Sequence, residues 1–344
     1  MQTILKTSSR LHRTVAALLL LQLLTFLGSC SDDPPSRSTT GEIALQDPAS
    51  GYPSRVYWGD THVHTSNSPD AFGFGVRLDA EAAYRFARGE QVTSTLGVKA
   101  RLARPLDFLA VADHSDGLGF TKRIYDGPRW LLPNAQFKRW HDMMREGPEG
   151  SQRATAELID LGGSGEAELI AGSKSLKKQA RATRSIWKKH LKITERYNDP
   201  GVFTSFAAFE YTSMPNGNNL HRVVIFKDNI EKTKQVIPYS ITLGNDVERL
   251  WDYMDGYEEK TGGEVLAIPH NSNVSNGLMF ELTEGGGKPM GEAYARRRAE
   301  KEPLVEITQV KGDSEAHPFL SPDDEFAGYG TAGWDLGNLD MSQK

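Results

Sequence analysis

Short runs of apolar and β-branched residues recur along the chain, and polar residues follow each run directly. An aromatic run at 55–64 comes first, and the later ones are 105–112, 202–209, 222–226, 264–269 and 303–310. Runs of about four to eight such residues, bounded by turn-forming residues, predict buried strands. A helical stretch is predicted near 79–89 and a longer helical insertion at about 121–200. Alternating strands and helices predict an α/β fold.

The residues next to these predicted strands are types that bind metal ions. His62 and His64 form a His-x-His pair, and both point to the same side because side chains alternate along a strand. A barrel of parallel strands would bring the ends of distant strands to one mouth, which predicts a metal site there. The other candidates at strand ends are His114 after 105–112, Glu210 after 202–209, His221 before 222–226 and His270 after 264–269.

Several of these residues also have a simpler interpretation. Asp70 follows Pro69 and serves either as a ligand or in turn formation. Glu210 either bridges cations or forms a salt bridge with a nearby basic residue. Arg222 and Lys311 either hold an anionic group of a substrate or are structural and surface charges. The adjacent Asp113 and His114 favour function, because charges at the end of a buried strand are costly unless paired or metal-bound.

Composition narrows the classes of protein that the chain can represent. Its 344 residues carry a formal net charge of −5 and 38% hydrophobic residues, which argues against a nucleic-acid binder and against a disordered chain. The basic stretch 174–196 is interpreted as a solvated helix face rather than a patch for nucleic acid or anionic lipid. The single cysteine, Cys30, excludes an internal disulfide and a thiolate metal cluster.

The first residues resemble a targeting segment. Basic residues precede an apolar run at 15–27, which is about the length of a secretory signal and short for a membrane span. Residues 27–30 resemble a bacterial lipobox, with Cys30 as the lipidated residue; the alternative is an ordinary signal peptide with an incidental cysteine. We therefore expect a lipoprotein signal peptide at 1–30, a flexible tether at 31–54 and an exported protein, lipid-anchored on a bacterial membrane and facing the periplasm or outside.

Taken in order, the motifs resemble the PHP superfamily, named for polymerase and histidinol phosphatase enzymes, and within it the bacterial domain-of-unknown-function 3604 family. This resemblance implies a distorted TIM-like (β/α)7 barrel over residues 55–344 with two or three divalent ions, zinc, manganese or iron, at the strand ends. The motifs that carry it are 60–64, 68–75, 112–114, 209–211, 219–222, 269–271 and 305–307.

The resemblance also implies a role for each candidate ligand. His62 and His64 would bind a first metal, and Glu210 would bridge it to a second metal held by His221 and His270; Asp70 and His114 would bind a third. One departure is that the family's closing Asp-x-His motif is absent after Val310. With six predicted strands rather than seven, we expect a barrel that lacks its last strand and its C-terminal part. Glu306 lies within the last predicted strand and faces either the barrel interior or a helix.

The leading hypothesis is a metal-dependent phosphoesterase that uses a hydroxide held between metal ions. Its catalytic residues would be His62, His64, Glu210 and His270, and its partner a small-molecule ester. One alternative keeps the metals but hydrolyses an amide, carboxyl ester or sulfate ester. Another is an inactive, truncated surface lipoprotein. A substrate panel separates the first two, and metal content separates both from the third.

Overall fold

A computed structural model describes the protein at residues 55–164 and 167–331, with the side chains of 162–180 excepted. The predicted signal peptide, Cys30 and the tether lie outside the described residues and stay predictions. In the described part of the chain, no helix has the length and apolar character needed to cross a membrane.

A five-stranded sheet forms the centre of the fold, in the order β1-β4-β5-β6-β7. β1, β4 and β5 are parallel, whereas β6 is antiparallel to both of its neighbours. The prediction that all strands of the barrel are parallel is therefore wrong for β6. The connection 212–221 is too short for the crossover of about a dozen residues that a parallel pair needs. The strands are β1 Gly59–Val63, β4 Phe108–Val111, β5 Thr204–Tyr211, β6 Arg222–Phe226 and β7 Val265–Pro269.

The sheet is strongly curled. His62 on β1 and His270 after β7 belong to opposite edges of the sheet, yet their ring centroids are 4.2 Å apart. In a flat sheet of five strands those edges would be about 19 Å apart, at about 4.8 Å per strand. β1 and β7 do not pair with each other among the described residues. The predicted α/β class is confirmed as a mixed α/β fold with a half-barrel sheet.

Helices pack on one face of this sheet, and strand residues that include Ala110, Ala208 and Ile268 form a separate apolar cluster. Leu250, Trp251, Met254 and Tyr257 lie on one side of helix α8 and are buried against β5, β6 and β7. Their spacing explains why this segment is a helix with one apolar face. The helices are α1 Pro69–Gly73, α2 Ala80–Ala87, α3 Phe120–Asp126, α4 Ala135–Arg145, α5 Pro148–Ser164, α6 Ala167–Tyr197, α7 Ile230–Thr233, α8 Val247–Thr261 and α9 Glu292–Lys301.

The predicted helical insertion at 121–200 corresponds to α3 to α6, which lie between β4 and β5. Phe137, Trp140 and Met144 of α4 are buried with Ile124 and Leu131 in a separate apolar cluster. The insertion therefore has its own small core. Two-residue strands complete the described structure: β2 Val92–Thr93, β3 Lys99–Ala100, β8 Thr283–Glu284, β9 Lys288–Pro289, β10 Thr308–Gln309 and β11 Gly312–Asp313.

The strand predicted at 303–310 is wrong. Residues 302–307 belong to no strand, and β10 turns back at once to pair with β11. The Glu306 N–H still donates to the Pro269 carbonyl at 3.0 Å, so the segment runs beside β7. Val305 and Ile307 are 46% and 44% exposed. With so much of its apolar surface exposed to solvent, the run lacks the packing that stabilises a central strand.

Candidate metal centre

The seven predicted ligands lie together at one end of the half-barrel. β1, β4, β5 and β7 present their carboxyl ends there, and the antiparallel β6 presents its amino end. For this reason His221, which precedes β6, lies beside residues that follow the other strands. Asp70 reaches the same place from α1. The predicted ligands brought together are His62, His64, Asp70, His114, Glu210, His221 and His270.

The Glu210 carboxylate is the hub of the cluster. It is 1% exposed, and all of the five histidines lie within 3.5 Å of one of its oxygens. Oε1 is 2.7 Å from His221 Nδ1 and 2.8 Å from His270 Nε2. Oε2 is 2.9 Å from His64 Nε2, 3.0 Å from His114 Nδ1 and 3.5 Å from His62 Nε2. Each oxygen therefore faces a different set of imidazoles, which is the geometry of a bridging carboxylate.

The donor atoms form overlapping groups, each within 4.8 Å. The group His62–His64–Glu210 matches the set expected for a first metal, and the group His64–Asp70–His114 contains both residues expected for a third metal. The second-metal set differs, because Glu210 and His221 are grouped with His114 while His270 is grouped with His62. The groups are His62–His64–Glu210, His114–Glu210–His221, His64–Asp70–His114 and His62–His270–Glu306.

These donors fit divalent cations. The Nε2 atoms of His62 and His64 are 2.9 Å apart, so two lone pairs would face each other unless a proton or a cation lay between them. His221 Nε2 is buried without a hydrogen-bond partner among the described residues. Buried polar atoms in that state are costly unless something binds them. Nitrogen and oxygen donors without thiolate suit zinc, manganese and iron.

The pKa values of the histidines are shifted in two directions, by burial and by their acidic neighbours. Burial opposes protonation of His62 and His64, but acidic neighbours outweigh it: Glu210 and Glu306 raise the pKa of His62 to about 9, and Glu210 and Asp70 raise that of His64 to about 10. Burial lowers the pKa of His221 to about 3 and that of His270 to about 4. Burial also opposes ionisation of Glu210, yet the histidine charges hold its pKa well below its ordinary value. Acidic neighbours thus favour the protonated form of His62 and His64, whereas burial keeps His221 and His270 neutral.

Glu306 belongs to the cluster, although the sequence analysis did not select it as a ligand. Its Oε2 lies 2.9 Å from His62 Nδ1, while Gln309 Nε2 donates to its Oε1 at 3.0 Å. A carboxylate on the second ring nitrogen orients a metal-binding histidine and fixes its tautomer. The available signal was an acidic residue inside an apolar run. His62 and Glu306 are 244 positions apart, so only the fold reveals their contact.

The loop after β1 is held by a second buried carboxylate. Asp113 accepts hydrogen bonds from the Thr65 N–H at 2.5 Å and the Thr65 hydroxyl at 2.7 Å. Ser68 Oγ lies 2.7 Å from His64 Nδ1 and donates to Asp70 at 2.6 Å. Asp113 therefore anchors the backbone next to His64, and Ser68 joins the imidazole to Asp70.

The two predicted substrate-binding cations differ in their surroundings. Arg222 is 2% exposed; its Nε donates to Glu302 at 2.9 Å and its guanidinium also donates to the Leu220 carbonyl at 2.6 Å. These bonds favour the structural alternative, and the role of Arg222 in substrate binding stays a prediction. Lys311 is exposed, and its charge adds to the effect of burial in lowering the pKa of His221. It lies near enough to the centre to attract an anion, and its role stays a prediction.

We expect Glu306→Ala to lower metal affinity by about 10- to 100-fold, because His62 loses the acceptor that orients it. Glu306→Gln retains an oxygen acceptor and should lose less. Competition with a chromophoric chelator measures both affinities. Glu315→Ala, an exposed position in the same segment, is the matched control. Wild-type affinity in Glu306→Ala would show that Glu306 does not support the centre.

The fold and site define a mixed α/β protein with a candidate multinuclear metal centre at one end of the strands of its sheet. The family model described as "Protein of unknown function (DUF3604)" matches residues 52–344. The chain belongs to this family. No curated protein and no solved structure matches it.

Proposed function

We propose that this protein is a metal-dependent hydrolase of phosphoric esters and a relative of the PHP superfamily. The observation that carries the proposal is the buried Glu210 carboxylate in contact with five histidines. A carboxylate shared in this way suits neighbouring cations, and paired cations recur in enzymes that cleave phosphate esters. The ordered motifs 60–64, 112–114, 209–211 and 269–271 support the same class.

Two or three ions of zinc, manganese or iron would be held by the overlapping groups around Glu210, with Asp70 and Glu306 at opposite ends. Bound there, such ions would polarise a phosphoryl oxygen and lower the pKa of water. His221 and His270 are neutral at physiological pH, the form in which imidazole binds a metal. His62 and His64 must each release a proton to do so.

The surrounding residues would keep the centre in position and attract the substrate. Asp113 holds the loop at Thr65 and thereby the backbone that carries His64. Glu306 fixes the ring of His62. Lys311, exposed near His221, would attract the anionic ester as it approaches. Preorganisation of this kind lowers the barrier because the groups need not reorganise during the reaction.

The test is hydrolysis by the purified chain after chelator treatment and reloading with zinc, manganese or iron(II). We expect cleavage of phosphate esters only after reloading, and loss of both metal and activity in His64→Ala. His141→Ala is the matched control, because His141 lies in α4 and binds the Ile124 carbonyl. Cleavage of amides, carboxyl esters or sulfate esters with none of phosphate esters would refute the proposed substrate class. A folded chain that binds no metal would refute the mechanism.

A further inference from the structure

A cavity lies between the helical insertion and the loop after β1. We call it the insertion cavity; its volume is about 630 Å³, within the range of about 300–1,000 Å³ typical of small-molecule sites. Residues from the loop after β1, from α2, from α3 and from α6 line it. None of the candidate metal ligands is among its lining residues.

Positive charge predominates along this cavity. Arg77, Lys122, Arg123 and Lys189 line it, against Asp79 and Asp126. Both carboxylates have partners, since Asp79 caps α2 by accepting from the Ala82 N–H and Asp126 pairs with Lys122 at 2.8 Å. The acidic residues therefore leave much of the positive charge uncompensated.

Arg123 contributes a partly buried guanidinium to the cavity wall. Its side chain is partly buried, and burial lowers its pKa; the only compensation is the charge of Asp126. Among the described residues, no side-chain hydrogen bond or ion pair involves Arg123, and the same holds for Lys189, which also lines the cavity. A guanidinium presents a planar array of donors suited to carboxylate or phosphate. Its desolvated state favours binding of an anion.

His190 adds a largely buried ring to the cavity wall. It lines the cavity, is 6% exposed, and stacks on Trp187 with ring centroids 5.2 Å apart. Its Nε2 is buried without a hydrogen-bond partner. Burial lowers the pKa of His190 to about 4, so the ring is neutral and offers one donor and one acceptor. Trp130 and Ile186 add apolar surface to the same lining.

We propose that the insertion cavity binds a small organic anion, with its carboxylate or phosphate group at Arg123 and Lys189 and its apolar group against Trp130 and Ile186. Pockets of this type combine apolar walls with a few convergent polar groups. The site shares Ser66 and Asn67 with the loop that carries His64, so the two sites lie on either side of one loop. The proposal stands independently of the proposed hydrolysis.

The test is calorimetric titration of the full chain with phenylphosphonate and with benzoate, which combine an anion with a ring and lack the ester bond. Inorganic phosphate tests the anion alone. We expect saturable binding of one or both aromatic anions, tighter than that of phosphate. The better of the two identifies the anionic group that the cavity prefers. Absence of saturable binding by the wild-type chain would overturn the proposal.

Two variants locate the binding. Arg123→Gln should weaken it by about tenfold or more, the effect of losing a charge-assisted hydrogen bond, and Arg123→Lys by less. Arg129→Gln is the matched control, because Arg129 is exposed and does not line the cavity. Binding should persist in the wild-type chain after chelator treatment. Loss of binding on chelator treatment, with retention in Arg123→Gln, would place the anion at the metal centre and overturn the proposal.

Discussion

Glu210→Gln is expected to lose bound metal and to slow any metal-dependent hydrolysis by about a thousandfold or more, the scale on which principal electrostatic groups act in catalysis. The amide is nearly isosteric but neutral. It removes the one charge that faces all five histidines. Metal content per chain, measured by elemental analysis, checks the first effect, and turnover after reloading with metal checks the second.

The same substitution should also change the metal-free protein. Glu210, together with Glu306 beside His62 and Asp70 beside His64, outweighs the effect of burial and holds the pKa values of His62 and His64 at about 9 and 10. Without its charge, two buried imidazolium groups lose their principal partner, and breaking a buried ion pair costs about 3–5 kcal/mol. Glu264→Gln is the control, since that side chain is 70% exposed and pairs with exposed Lys227. Unchanged metal content and unchanged stability in Glu210→Gln would show that Glu210 is not the hub.

Metal binding should become stronger as the pH rises from about 6 to 10, and at neutral pH it should release protons, because the pKa values of His62 and His64 are raised to about 9 and about 10. Protons compete with the cation for the nitrogens of these two imidazoles. The measurements are proton release in weak buffer and the metal-induced rise in the thermal midpoint at a series of pH values. A rise that is the same at every pH would contradict this linkage.

The metal-free protein should behave differently, with a stability maximum near the ordinary histidine pKa of about 6.5. The raised pKa values of His62 and His64 stabilise the fold fully below about 6.5, and this contribution is lost as the pH rises through about 9 and 10. His221 and His270 have lowered pKa values, so their neutral burial is increasingly unfavourable as the pH falls below about 6.5. The difference between metal-free and metal-loaded protein therefore separates metal binding from general pH effects.

The sequence by itself determined the α/β class, the helical insertion and the seven candidate ligands. These features depend on the order of neighbouring residues, because an apolar run predicts a buried strand and the polar residue that follows it must lie where the strand ends. His62, His114, Glu210 and His270 could be selected in this way without knowledge of the fold.

Only the tertiary structure decided which strands pair and which distant residues meet. The antiparallel direction of β6, the curl that brings His62 to His270, and the contact of His62 with Glu306 depend on partners far apart in the chain. The same holds for the contact of Arg222 with Glu302, which lies 80 positions away. Residues 303–310 have the composition of a strand but lack a layer to bury them. Local pattern reports what a segment prefers, whereas long-range packing and hydrogen bonding decide what it becomes.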